Sequence, residues 1–163
     1  MLPPEMDQVI SFRDAMARFP SGVTIVTTVD ADGKSWGFTA SAFCSVSVDP
    51  ALILVCLSTG AECHPVFAEA EHWVVHIIHA DQVDLALRFA TRGADKFAGG
   101  SFEPDHRGLP RLSGSSITLD CSTYARHPGG DHTILVGAVS ACFQGNPPPT
   151  VYRDRAFHAL TQL

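Results

Sequence analysis

No glycine-rich G-x-G-x-x-G turn follows a predicted strand in this chain, which disfavours a classical dinucleotide-binding βαβ framework. No Cys-x-x-Cys pair occurs either. The five cysteines, Cys44, Cys56, Cys63, Cys121 and Cys142, are odd in number, so reduced thiols in a cytoplasmic protein fit better than a disulfide framework. No segment has the length to span a bilayer, and Met1 to Glu5 has neither the basic start nor the apolar core of a secretory signal. Charge is scarce as well. Only 17% of the 163 residues are charged, and 11 Lys and Arg face 17 Asp and Glu for a net charge of −6. The cations are scattered, which argues against nucleic acid as a partner and leaves any phosphate binding to a few local donors.

What the chain does have is apolar residue, 45% of the total, enough for one domain over residues 1–163 with a filled core and an interface to spare. Ser11 and Asp14 stand at capping-box spacing, and Phe12, Ala15, Met16 and Phe19 at i, i+3, i+4 and i+7 predict an amphipathic helix ended by Pro20-Ser21-Gly22. Strands are predicted over 23–29, 35–47, 51–57, 73–79, 116–126 and 132–143, from β-branched and apolar content between turn signals. Pro65 starts a short helix, and Asp81 with Asp84 opens another whose Val83, Leu87 and Ala90 share a face. Residues 92–112, rich in Gly, Asp and Pro, form a long loop, a kind of segment that is usually functional or mobile. Short strands with few helices and no βαβ alternation predict an antiparallel barrel or sandwich.

Several segments carry polar chemistry. Phe38-Thr39-Ala40-Ser41 offers hydroxyl and backbone donors between the aromatics Trp36, Phe38 and Phe43; a strand facing solvent accounts for them too. Cys56-Leu57-Ser58 runs through Thr59 to His64, a strand-to-helix junction whose free N–H groups suit an anion. His64 is either a donor there or simply the residue before Pro65. Arg92, Lys96 and Phe97 lie in the long loop, as anion and ring contacts or as a solvated loop anchored by one Phe. Gly130-Asp131-His132 opens the strand 132–143, and Tyr152-Arg153 follows the Pro-rich connector 146–149. His72, His76 and His79 raise the question of zinc, but His76 and His79 point to opposite faces of a strand, so no metal is expected.

In this order, Gly37-Phe38-Thr39-Ala40-Ser41-Ala42-Phe43, Asp95-Lys96-Phe97, Gly130-Asp131-His132 and Tyr152-Arg153 resemble the flavin reductase-like family of FMN-binding split barrels. The resemblance runs from Phe12 to Arg153. It implies a mainly β fold, a six-stranded antiparallel split barrel with a few flanking helices. It also implies an NAD(P)H-dependent flavin reductase that passes hydride from NADH or NADPH to FMN or FAD and supplies reduced flavin to a partner monooxygenase. By the same resemblance, Phe38, Thr39, Ala40 and Ser41 contact the flavin, and Cys56, Leu57, Ser58 and His64 belong to the segment holding phosphate and ribityl chain. Arg92, Lys96, Phe97, Tyr152 and Arg153 lie near the cofactor. His132 serves as the catalytic residue at the nicotinamide side, and two chains pair as a homodimer. The sequence departs from the family at Ala42, at Ala61 and Glu62, and at His76, where Asn is usual. The alternatives are a non-catalytic flavin-binding or electron-carrier protein on the same barrel and a pyridoxamine-phosphate-type oxidase. The second would need more phosphate-binding cations than this chain supplies.

Overall fold

The computed structural model describes residues 9–163; the reading of Met1 to Glu5 lies outside them. The first element is the helix α1 (Phe12–Ala17), capped by Ser11, whose hydroxyl oxygen accepts from the Asp14 N–H at 3.1 Å. Strands β1 (Ser21–Gly22), β2 (Thr24–Val29), β3 (Ser35–Ala40), β4 (Phe43–Ser47) and β5 (Leu52–Ser58) follow. Helix α2 (His64–Glu69), strand β6 (His72–Ile77), a 3-10 turn (Ala80–Gln82) and helix α3 (Val83–Phe89) come next. The chain then forms β7 (Phe102–Pro104), β8 (Pro110–Leu112), β9 (Ile117–Gly129), β10 (His132–Gln144), β11 (Val151–Arg153) and β12 (Ala156–His158).

Seven strands make the main sheet in the order β3-β2-β6-β9-β10-β5-β4, with every pairing antiparallel. The six predicted strands are all present in it. The seventh arises because 35–47 divides at Ser41-Ala42, where exposed residues break the ladder between β3 and β4. The predicted loop 92–112 holds a further hairpin, β7 with β8. The β9–β10 hairpin runs longer than predicted, its strands closing on the two-residue turn Gly130-Asp131. Gly130 sits there at φ +67°, a conformation open to glycine without steric cost.

Two apolar clusters fill the sheet. One gathers Val26, Phe38, Val55, Phe67, Trp73 and Leu135 among its members; the other packs Val23, Ile25, Ile78, Ala86 and Phe89 under the long loop. Phe89, Phe97 and Phe102 stack there with centroids 5.0–5.4 Å apart, which pins the predicted loop to α3. Gly37 sets how closely α3 approaches β3. A Cβ at that position would lie 2.6 Å from the Phe89 ring and 2.8 Å from the Val26 carbonyl oxygen.

Helix α1 forms as its pattern predicts, yet it buries none of its residues. Asp154 N–H donates to the Ala17 carbonyl, and Arg155 donates to Asp14 at 2.8 Å, so the helix is tied to the β11–β12 turn by its polar side. Its apolar side has no partner within the described chain.

Candidate functional site

A cavity of about 600 Å³ opens between three pieces of chain: β3 with the hairpin before it, the β5–α2 junction, and the end of α3 with the loop that follows. Lys34, Ser35, Trp36, Gly37 and Phe38 all contribute to its lining. Lys34, Trp36 and Phe38 share one face and line the cavity. Thr39 falls on the other face, where its hydroxyl donates to the Ala86 carbonyl of α3 at 2.6 Å. Phe89 and Phe97 complete an aromatic wall, and Gly37 leaves bare backbone between them.

The lining carries both signs, Lys34, Arg92 and Lys96 beside Glu62 and Asp95. Arg92 donates to the Gly60 carbonyl at 3.0 Å and lies 3.5 Å from Glu62, which ties the loop to the β5–α2 junction across the cavity mouth. Lys96 donates to the Thr91 carbonyl at 3.0 Å. Cys63 is the buried thiol of the wall. Burial pushes its pKa up to about 11, which keeps it protonated and unreactive at neutral pH.

Of the residues singled out from sequence, Phe38, Ser58, Arg92, Lys96 and Phe97 come together around this cavity. His132 is outside the cavity lining; it stands directly opposite the lining residue Ser58 in the β10–β5 pairing. The turn carrying it is held from the junction: Thr59 donates to the Asp131 carbonyl from both its N–H, at 2.9 Å, and its hydroxyl, at 3.1 Å. His132 Nδ1 lies 2.7 Å from Asp131 Oδ1, and that hydrogen bond holds the Asp131 carboxyl below its ordinary pKa of 3.8. His64 braces the same strand, its Nε2 lying 2.9 Å from the Thr133 hydroxyl.

The other predicted residues lie apart from the cavity. Ala40 and Leu57 are core residues, Cys56 is half-buried, and Ser41 is exposed at the break between β3 and β4. Tyr152 packs on Phe157 with centroids 5.1 Å apart and belongs to the second apolar cluster. Arg153 lies 3.3 Å from Asp154 at the surface. Lys34 and Phe89 line the cavity without having been singled out. The first was legible in the i, i+2, i+4 spacing of Lys34, Trp36 and Phe38, whereas Phe89 required knowing where α3 docks.

The histidines are dispersed. His76 is fully buried and bonded at both nitrogens, His79 caps the 3-10 turn, and among the described residues no three His, Cys, Asp or Glu gather as a metal site. No helix of the described chain is long and apolar enough to cross a membrane. All five cysteines are free thiols.

Residues 16–161 match the family model described as "Flavin reductase like domain". Among curated proteins, the chain is 48% identical over 149 residues to the actinorhodin polyketide dimerase of Streptomyces coelicolor, covering 91% of this chain and 84% of that protein. It is 42% identical over 154 residues to the NADH:riboflavin 5'-phosphate oxidoreductase of Streptomyces pristinaespiralis, covering 93% and 88%. Among solved structures, the NADH:FAD oxidoreductase of Streptomyces globisporus, in complex with NAD and FAD fragments, superposes with a TM-score of 0.85. That match has 28% identity and covers 91% of this chain and 90% of the other.

Proposed function

The chain belongs to the flavin reductase-like family, and from that premise we propose that it is an NAD(P)H:flavin oxidoreductase, supplying reduced FMN or FAD to a separate monooxygenase component. The observation that carries this reading is one cavity where an aromatic wall meets Arg92, Lys96 and the Ser58 hydroxyl, with His132 paired to Ser58 on the next strand. The donor set fits a flavin: Phe38 and Phe97 offer apolar contact to a flat ring, while Lys96, Arg92 and the Ser58 hydroxyl suit a phosphate and a polyol chain. A bound flavin supplies the hydride acceptor. The protein's task is then to bind and orient two ligands and to exclude water.

The reacting end is assigned to His132, which pairs with the cavity-lining Ser58. With Nδ1–H given to Asp131, its Nε2 is free to meet the nicotinamide or the flavin edge. Ser58, opposite it, serves the flavin side. Thr39 acts indirectly in this arrangement, holding α3 and therefore Phe89 against β3. Ser41, Tyr152 and Arg153 would come into play at a site completed by a second copy of the chain.

Purified protein is expected to oxidise NADH or NADPH only when FMN, FAD or riboflavin is added. Absence of turnover with both nucleotides across all three flavins would sink the proposal. Tightly held flavin with no nucleotide oxidation would favour the electron-carrier alternative.

The homodimer is part of the same proposal. An ordered helix, held by ion pairs and capping, presents Phe12 at 80% exposure and Phe19 at 67%, with Met16 beside them. Such a stripe is costly in water and typical of a surface that another chain covers. Light scattering is expected to give a dimer, and Phe12→Ser with Phe19→Ser to give a monomer. A monomer at micromolar concentration with full activity would refute it. The reducing cytoplasm is the compartment that suits five unpaired thiols.

A further inference from the structure

One wall of the cavity carries a built pair that the flavin assignment leaves unused. Lys34 and Trp36 stand two residues apart at the start of β3, so both side chains face the cavity. The Trp36 indole is braced. Its N–H donates to Asp30 Oδ2 at 2.9 Å, and Asp30 in turn accepts from the backbone N–H groups of Asp32 and Lys34 at 2.9 and 3.0 Å. The ring packs by one edge against the first apolar cluster. Lys34 Nζ lies over it, 4.5 Å from the ring centroid. Lys34, Arg92 and Lys96 stand around this one cavity, with the carboxylates Glu62 and Asp95 among them. Arg92 is already engaged with Glu62, and Lys96 with a backbone carbonyl. Lys34 holds its ammonium against an aromatic face, a weak and exchangeable contact that an incoming anion can replace.

We propose that Lys34 and Trp36 form a subsite for an adenylate, with the purine against the indole and a phosphate oxygen at the Lys34 ammonium. The proposal rests on the cavity being the flavin site. Purines stack on aromatic side chains through their π-faces, and lysine meets phosphate as a mobile point charge. FMN lacks the adenylate half; FAD and NAD(P)H both carry it. The pair is therefore a specificity device for a dinucleotide, and the source of the adenylate is what the arms of the test separate.

The probe is adenosine 5'-diphosphate. The chain has two tryptophans, and Trp73 is buried, so quenching of the intrinsic fluorescence by ADP reports on Trp36. Saturable quenching is expected in the parent protein. By calorimetry, Lys34→Ala and Trp36→Leu are each expected to weaken ADP about tenfold. If FAD supplies the adenylate, the ratio of FAD to FMN affinity falls by a similar factor in both variants. If the nicotinamide nucleotide supplies it, KM for NADH with FMN as acceptor rises instead. No saturable ADP binding by the parent, or parental ADP affinity in Lys34→Ala, overturns the subsite. Lys34 is exposed, so that variant decides the matter even if Trp36→Leu fails to fold. Riboflavin-dependent NADH oxidation tests the reductase reading separately, since riboflavin carries no adenylate. Oxidation without ADP binding removes the subsite alone, whereas ADP binding without oxidation by any flavin removes the reductase reading alone.

Discussion

Replacing His132 with alanine is expected to slow NADH-dependent flavin reduction by about ten- to a hundredfold, the loss of one hydrogen bond to a charged or polarised group in the reacting complex. Flavin affinity should move only a few-fold. The separation follows from geometry. His132 stands across from Ser58 on the neighbouring strand, while the aromatic wall and the cations belong to the start of β3, the end of α3 and the loop that follows. The backbone around His132 has its own supports, since Thr59 grips the Asp131 carbonyl twice and His64 holds Thr133. Removing the imidazole should therefore leave the turn in place and delete only its contacts. Stopped-flow reduction at varied NADH, beside a flavin titration, separates the two quantities. A variant that reduces flavin at the parental rate, with unchanged nucleotide affinity, would make His132 a turn residue and nothing more.

His76 gives the second large effect, on stability. It is fully buried on β6, its Nδ1 2.9 Å from the Ile25 carbonyl oxygen and its Nε2 3.0 Å from the Leu112 N–H. One nitrogen must donate and the other accept, so the ring is held neutral as the Nδ1–H tautomer. It thereby clips the β7–β8 hairpin to the central sheet. Burial, with Arg111 nearby, pushes its pKa down from 6.5 to about 4, despite the Ile25 carbonyl, which works in the opposite direction. The folded protein therefore binds this proton less readily than the unfolded chain does. Stability from His76 is fully present above pH 6.5 and drains away as pH falls towards 4, for a total of about 3 kcal/mol. Urea unfolding at a series of pH values should show this acid slope in the parent. In His76→Gln, the part of the slope between pH 6.5 and 4 should flatten. Identical slopes in the two proteins would mean that His76 does not titrate in that window.

His76 was a departure without a role when only the sequence was in view. Both partners of His76 come from backbone groups of β2 and β8, 51 and 36 residues away, and nothing in the local sequence announces them. Its assignment as an internal clip comes from packing alone. The same is true of Thr39. Read as part of a contiguous run with Phe38 and Ser41, it looked like a cofactor ligand. A strand presents alternate residues to opposite faces, and α3 occupies the face on which Thr39 falls. Period-two alternation could have separated Lys34, Trp36 and Phe38 from Thr39 without coordinates. The docking of α3 could not be inferred that way, because Gly37 permits it by having no side chain.

By itself, the sequence determined the elements and their order. β-branched runs, the Ser11 cap, Pro65 and the Gly130 turn are local signals acting over a few residues, and each acts as local chemistry dictates. It also determined the family, because Asp95-Lys96-Phe97 and Gly130-Asp131-His132 carry that resemblance whatever surrounds them. Only the tertiary structure decided which residues meet. The cavity joins Trp36, Ser58 and Lys96 across long stretches of chain, and His132 is set opposite Ser58 only through the register of β10 on β5. The amphipathic pattern of α1 correctly foretold a helix, but a 3.6-residue period cannot say what covers its apolar face. Within this chain, nothing among the described residues does. Periodicity is a property of one segment, whereas burial belongs to the pair of surfaces that meet, and that second surface is supplied by the fold or by another molecule.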